Sequence, residues 1–594
     1  MNVPERINAL RLLMEEKKID AYIIPSADSH QSEYVGEHFK ARAFLTGFTG
    51  SNGTAVITRD DAGLWTDGRY FIQAQKELEG TGITLYKMGN PGVPTITEYL
   101  EAVLPHGGTL GFDGRMVSMQ AGKTFAGLFA HKQLHLEDRY DLVDSIWEER
   151  PPLSEAPIHL LSERFCGEST ASKLGRLRQA MKEAGAAAHL VITLDDIAWL
   201  LNFRGNDVAY TPVALCYAVI TMEQVHLFMN EKKVSQKIRE YFAKNGVLQH
   251  PYDEVYPFVE GLEENSILLD PNRCNYALYR RIPQGTAIIE GQNPCVLLKA
   301  VKNETEIANI RNAHRKDAVA CTKFLYWLKT TFQKETITEC SASEKLEQLR
   351  SEQEGFLSPS FEPICAYGAN AAMCHYTSSA ETDCALKEGA LFLFDTGGHY
   401  LEGSTDITRT VALGSVSDKM KEDYTNVLRG NLALSHAVFL QGCTGEHLDI
   451  LARQFLWHSG LDYNHGTGHG VGYLLSIHEG PCRISWKPSS EGSHPLESGM
   501  IVTDEPGVYV EQSHGIRLEN ELLVRRGLQN EAGQFLQFEV LTYVPFDLDA
   551  MELSLLTEAE KLELNRYHKQ VYEIVSPHLT EEEAMWLKDA TREI

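Results

Sequence analysis

The sequence predicts a protein of mixed α/β and α+β class. Two similar N-terminal α/β domains precede a third domain that carries the chemistry-bearing residues and ends in a helical C-terminal extension. Three observations predict this. The 594-residue length exceeds what one hydrophobic core serves, since cores stop growing near roughly 250–300 residues. The order helix, strand, aromatic-rich segment and hairpin occurs twice in the first half. The clusters of Asp, Glu and His at the ends of apolar runs lie C-terminal to the helical stripe that closes at Leu328.

In the first copy, Ile7, Leu10, Leu13 and Met14 recur at helical spacing, and Ala21 to Ile24 reads as a buried strand. Ala55 to Thr58 and Gly63 to Thr66 then form a hairpin across an Asp-Asp-Ala-Gly turn. In the second copy, Leu174, Leu177 and Met181 make the helical stripe, Leu190 to Thr193 the strand and Ile197 to Phe203 the apolar stretch. Tyr217 to Thr221 and Val225 to Met229 make its hairpin. The Pro-rich stretch Pro151 to Pro157 marks the boundary. The expected domains are 1–155, 156–303 and 304–594, the extension starting at about residue 548. The third domain opens on a helix from Lys302 to Leu328, whose apolar face includes His314, read here as a packing residue without a role. Thr557 with Glu560 and Thr580 with Glu583 have capping-box spacing, so the extension is read as an appended helical tail.

A formal charge of −27 argues against nucleic acid or an anionic membrane as partner, because both demand a basic surface. The N-terminal segment lacks the apolar core and small-residue cleavage site of a signal peptide, so the chain is expected to start as mature protein. No apolar run approaches the roughly 20 residues that span a bilayer. The 11 cysteines are odd in number, scattered and never spaced as Cys-x-x-Cys. Reduced thiols in a cytoplasm are expected.

The third domain holds four signals. In FDTGGHYLEGSTDITRT, Phe394 to Thr410, Asp395 ends an apolar run and Asp406 follows eleven residues later. A turn centred on Tyr400 and Leu401 would set the two carboxylates opposite each other, where like charges repel unless a cation lies between them. Arg409 offers an alternative, a structural salt bridge, and the pair alone does not choose. In NHGTGHGVG, the glycines defeat a helix, so His465 and His469 are expected to do different jobs, one on metal and one on substrate. In TDEPG, Glu505 ends an apolar strand, although alone it reads as an exposed turn acid. In GIRLENELLV, period two sets Arg517, Glu519 and Glu521 on one face of a strand, with Glu521 read as a solvated edge charge. Four carboxylates and one imidazole call for two divalent cations. An oxygen-rich set of this kind favours manganese, with cobalt or zinc as alternatives. Two such ions can hold a water as hydroxide and polarise a carbonyl.

These motifs, in this order and spacing, resemble the pita-bread (creatinase-like) metallopeptidases, and within them the Xaa-Pro aminopeptidases (aminopeptidase P) in their long, three-domain form. The resemblance implies a pita-bread fold for the third domain and metal ligation by Asp395, Asp406, His469, Glu505 and Glu519, with Glu505 also moving the proton of the attacking water. It implies catalytic and substrate-binding roles for His375 in AMCHYTSS, His465, and His478 in SIHEGP, and a place behind the metal ligands for Arg517. The residues after Tyr376 depart from the Ala-Pro-like pair of the family.

The implied activity is removal of the first residue from peptides with proline second, in a cytoplasmic homodimer with two divalent ions per subunit, manganese first. A prolyl amide has no N–H to grip, so a dedicated site must recognise the ring by shape. The nearest alternative is an Xaa-Pro dipeptidase (prolidase), which such chains disfavour by their duplicated N-terminal domain. Methionine aminopeptidases share the ligands in much shorter chains, and metal-free creatinase-type members lack the full set. A non-catalytic peptide-binding member would ordinarily have lost metal ligands, all of which stand here.

Overall fold

The structure, a computed structural model, describes residues 1–128, 132–488 and 493–594. The chain forms two compact units, one of residues 1–162 with 168–296 and one of residues 163–167 with 297–594.

The first unit contains two six-stranded sheets built on one plan. In the first sheet, strand Ala21–Pro25 lies between Thr54–Thr58, antiparallel to it, and Thr109–Phe112, parallel to it. In the second, Ala188–Val191 lies between Cys216–Thr221, antiparallel, and Ser266–Leu269, parallel. Beyond these come Ala62–Thr66 and Thr84–Lys87 in the first sheet and Val225–Met229 and Val247–His250 in the second, again in matching directions. His135–Glu137 and Ala287–Glu290 close the opposite edges. Order and direction thus agree strand for strand, so the duplication expected from the sequence is a duplication of topology. The helices Val3–Lys17 and Thr170–Glu183 stand where the apolar stripes required them. The stretch from Ile197 is the end of a helix, Leu194–Leu200, which all but closes the second copy's early order.

The second unit opens on helix Glu304–Thr331, capped reciprocally by Asn303 and Glu306. Three antiparallel strands follow, Ile364–Tyr367, Ala390–Thr396 and Ile407–Leu413. A six-stranded sheet contains Gly468–Gly470, Ile501–Asp504 and Asn520–Asn530. The two C-terminal helices, Glu558–Val575 and Glu581–Ala590, begin at the two expected capping boxes. They are no appendage, because Leu564, Tyr567, Val571 and Leu587 share one buried core with Phe324, Phe394 and Leu413. Apolar positions at helical spacing on that segment, read only for its caps, carried this information.

Register corrects the expected hairpin. Asp395 pairs with Thr408, and Tyr400 with Gly403, so the turn centres on Leu401 and Glu402. Asp406 therefore sits diagonally from Asp395, two residues off the opposite position and on the same face, where side chains remain within reach. Gly397 lets the arms close in: a Cβ there would stand 1.8 Å from the Thr405 carbonyl oxygen. The turn itself is tied to the long helix, since Glu402 accepts hydrogen bonds from Asn312 at 2.6 Å and from Lys316.

Candidate metal centre

The site side chains come from within or immediately beside strands. Asp395 is the penultimate residue of Ala390–Thr396, and Asp406 immediately precedes Ile407–Leu413. His469 is the middle residue of Gly468–Gly470, as the extended reading of the glycine-rich segment required. Glu505 follows Ile501–Asp504, held by its amide on the Thr467 carbonyl at 2.8 Å. Glu519 lies between His514–Arg517 and Asn520–Asn530. The single strand expected through Arg517, Glu519 and Glu521 is broken there, and the break turns Glu519 inward.

Thr408 cross-links the two sheets. Its carbonyl accepts the Glu519 amide at 3.0 Å, and its hydroxyl donates to Glu519 Oε2 at 2.7 Å. His469 Nδ1 lies 2.9 Å from the Gly470 carbonyl oxygen, which leaves Nε2 facing the carboxylates, 3.5 Å from Asp406 Oδ2 and 3.8 Å from Glu505 Oε1. Among the described residues, Asp406, His469 and Glu519 form a group whose ligand atoms all lie within 4.8 Å of one another. Asp395 Oδ2 accepts from Arg517 Nη2 at 2.5 Å, while its Oδ1 is buried without a hydrogen-bond partner.

The electrostatics of this cluster demand positive charge. Burial pushes the Asp406 and Glu519 carboxyls well above the ordinary carboxylate range, and neighbouring carboxylates push the same way: Asp395, Glu521 and Glu505 on Asp406, and Asp406, Glu505 and Asp395 on Glu519. Glu505 is raised too, by burial, with His469 and Arg517 opposing the shift. Burial works against the Arg517 cation, but Tyr509 and Asp395 hold its pKa well above the ordinary value. An oxygen-rich, mutually repelling set with an orphaned carboxylate oxygen suits hard or borderline divalent cations, which hold such carboxylates ionised at neutral pH.

The histidines ring this cluster. His478 packs edge-to-face on His469, ring centroids 4.3 Å apart. His465 Nδ1 lies 3.8 Å from Glu505 Oε2, and its Nε2 is 2.7 Å from the Tyr509 hydroxyl. His375, half-buried, follows Cys374, whose carbonyl accepts from Arg517 Nη2 at 3.3 Å. Tyr509, which the sequence reading passed over, joins two of these groups by accepting from Arg517 Nη1 at 2.7 Å. The signal for it was the hairpin of Gly507–Val510 with His514–Arg517, in which Gly507 pairs with Arg517 and Tyr509 stands two residues along.

Three expectations fail here. Arg409 has no salt bridge among the described residues: fully buried, it donates to the carbonyls of Thr408, Val544 and Glu519, to Asn520 Oδ1 and to the Tyr567 hydroxyl. Glu521 is no solvated edge charge, since it is 0% exposed and accepts the Asp406 amide at 2.6 Å. His314 is buried as expected, but it is not mere packing, because its Nε2 lies 3.1 Å from Glu521 Oε2.

The pattern of the creatinase/prolidase N-terminal domain matches residues 6–142 and, in a second form, 149–306. That of metallopeptidase family M24 matches 308–526, and that of the C-terminal region of peptidase M24 matches 534–594. Aminopeptidase P2 of Arabidopsis thaliana is 40% identical, the alignment covering 99% of this chain and 88% of the relative. The X-prolyl aminopeptidase from Caenorhabditis elegans, whose structure is described as that of a cytosolic enzyme with a di-nuclear active site, superposes with a TM-score of 0.96 at 34% identity over 100% of both chains. The Xaa-Pro dipeptidase from Bacillus anthracis, 26% identical, aligns over 64% of this chain and 99% of its own, with a TM-score of 0.52. The family matches, the duplicated sheets and the relatives aligned along nearly the whole length make this chain a member of metallopeptidase family M24, among the aminopeptidase P proteins.

Proposed function

We propose that the chain hydrolyses the N-terminal Xaa-Pro bond of peptides as a metal-dependent aminopeptidase. The observation that carries this reading is the convergence of Asp406, His469 and Glu519 within 4.8 Å, with Asp395 and Glu505 beside them. Asp395, Asp406, His469, Glu505 and Glu519 would hold two divalent ions, manganese first and cobalt or zinc as alternatives. When bound, the ions supply the charge that ionises water at neutral pH and polarises the scissile carbonyl. Glu505 takes the role of moving a proton from the attacking water to the departing imino nitrogen. Arg517 fixes the orientation of Asp395 through their ion pair. His375, His465 and His478 bind the substrate around the scissile bond, His478 at the oxygen on which charge develops. We assign the domains as 1–155, 156–303 and 304–594, the homodimer as the working form and the cytoplasm as its location. The nematode protein's description and the 11 cysteines, none of them in a disulfide among the described residues, support the last. No helix among the described residues is long and apolar enough to cross a membrane.

Protein reloaded with manganese and offered an Arg-Pro-Pro-headed peptide, a Gly-Pro dipeptide and a Met-Ala peptide is expected to release arginine from the first. Cleavage of Gly-Pro alone would identify a dipeptidase instead, the reading disfavoured by a first unit whose duplicated sheets exceed what the bacterial dipeptidase aligns with. No release from any of them would leave a peptide-binding role.

A further inference from the structure

Behind the ligand cluster lies a buried pair that the reaction described above does not use. Glu521 sits in Asn520–Asn530 opposite Thr503, and its backbone is fixed on both sides: its amide donates to Thr542 Oγ1 at 2.9 Å and its carbonyl accepts from Leu541 at 2.9 Å. The side chain reaches across to the other sheet, where Oε1 accepts the Asp406 amide at 2.6 Å. Oε2 is buried without a hydrogen bond, and His314 Nε2 approaches it to 3.1 Å from the long helix. Leucine or valine would fill such a place without the desolvation cost of a buried ion. The carboxylate is therefore explained by what it holds. Asp406 stands just outside the ladder, whose terminal pair is Thr396 with Ile407, so its peptide plane is fixed by Glu521.

We propose that Glu521, backed by His314, is a positioning residue for Asp406: it fixes the peptide plane before the aspartate's Cα and so aims the carboxylate at His469 and Glu519. The proposal rests on Asp406 being a metal ligand. The test uses the full chain loaded with cobalt(II), read by its visible absorption and by equilibrium dialysis of the metal. Glu521→Leu, which removes the acceptor, is expected to weaken cobalt binding about 10–100-fold and to alter the absorption bands. Glu521→Gln keeps an oxygen for the Asp406 amide and is expected to stay within roughly 3-fold of the parent, a rescue that a merely structural role would not produce. His314→Leu, which frees the carboxylate but leaves its hydrogen bond, is expected to lie between the two and carries the test should Glu521→Leu fail to fold. Parental affinity and spectrum in folded Glu521→Leu or His314→Leu, or equal defects in the Gln and Leu variants, would overturn the proposal. Unchanged cobalt affinity in Asp406→Asn would instead overturn the ligand assignment beneath it.

Discussion

Asp406 takes its character from its neighbours: it is 4% exposed, and burial together with Asp395, Glu521 and Glu505 pushes its pKa well above the ordinary value, a shift that a bound cation would oppose. Asp406→Asn keeps the shape and removes the charge. It is expected to abolish turnover and lower the number of ions bound per chain while leaving a soluble, folded protein, as metal analysis and circular dichroism would show. Normal metal content with full activity would contradict the assignment. Arg409 makes the opposite kind of contribution, because it touches no reacting group. Arg409→Lys cannot reach all its acceptors, and each one left unpaired is expected to cost roughly 1–3 kcal/mol, measured as a loss in the denaturant midpoint. At this scale the sequence was legible where a residue type has few uses. A carboxylate at the end of an apolar run needs a partner, and so Asp395 stood out, whereas Asp406 and Glu505 gained meaning only beside the other motifs. It was illegible where the use depends on what lies across space: His314, Glu521 and Tyr509 look like a packing residue, a surface charge and a strand aromatic until the sheets are assembled.

Helix Glu558–Val575 shows how an element couples pH to stability. His568 on its buried face accepts the Phe546 amide at Nε2, 3.2 Å away, and burial, with Arg409 and Arg592, pushes its pKa down to about 3. An unfolded chain would protonate this imidazole near pH ~6.5, whereas the folded chain refuses the proton. The unfolded state therefore binds more protons between these values. The stability contributed by neutral His568 is full above the higher pKa and declines as pH falls toward the lower, by at most about 1.4 kcal/mol per pH unit. Asp317 does not blur that window: against burial, the Arg350 guanidinium holds its carboxyl below the usual range, so its contribution is lost only in stronger acid. His568→Gln is expected to lose less melting temperature than the parent between pH 7 and pH 5. An equal loss would place the acid sensitivity elsewhere. The elements were largely legible because caps and periodicity are local: the helix starts at Asn303, Thr557 and Thr580 and the paired hairpins of the two copies needed no tertiary knowledge. Register was not, because a turn of GGHYLEG fits two centres equally well until packing chooses one.

Two compact units imply two partly independent transitions on heating, and the residues proposed as metal ligands all belong to the second. Ions that bind only the folded state stabilise it by mass action, about 2.7 kcal/mol at a concentration of 100 times Kd. Chelation is expected to lower one calorimetric transition and leave the other in place; a uniform shift of both would show that the units melt as one. Sedimentation of a species of twice the 66.6 kDa chain mass would establish the homodimer, and a single-chain mass would refute it. At this scale the duplication was the most legible feature, since two copies of one element order imply two copies of one sheet. The packing of the C-terminal helices into the core around Phe324 and Phe394 was the least, because end-of-chain position suggests an appendage and only the shared core shows otherwise.

Surface turns are where related chains ordinarily gain and lose residues, but the one at Leu401 and Glu402 works as a ruler. One residue added there would swing Asp406 to the opposite face of its strand, and two would slide it along by roughly 7 Å. Its letters can drift while its length is inherited, so a change of loop length between Asp395 and Asp406 marks a descendant that has given up the chemistry, whatever residues it still displays.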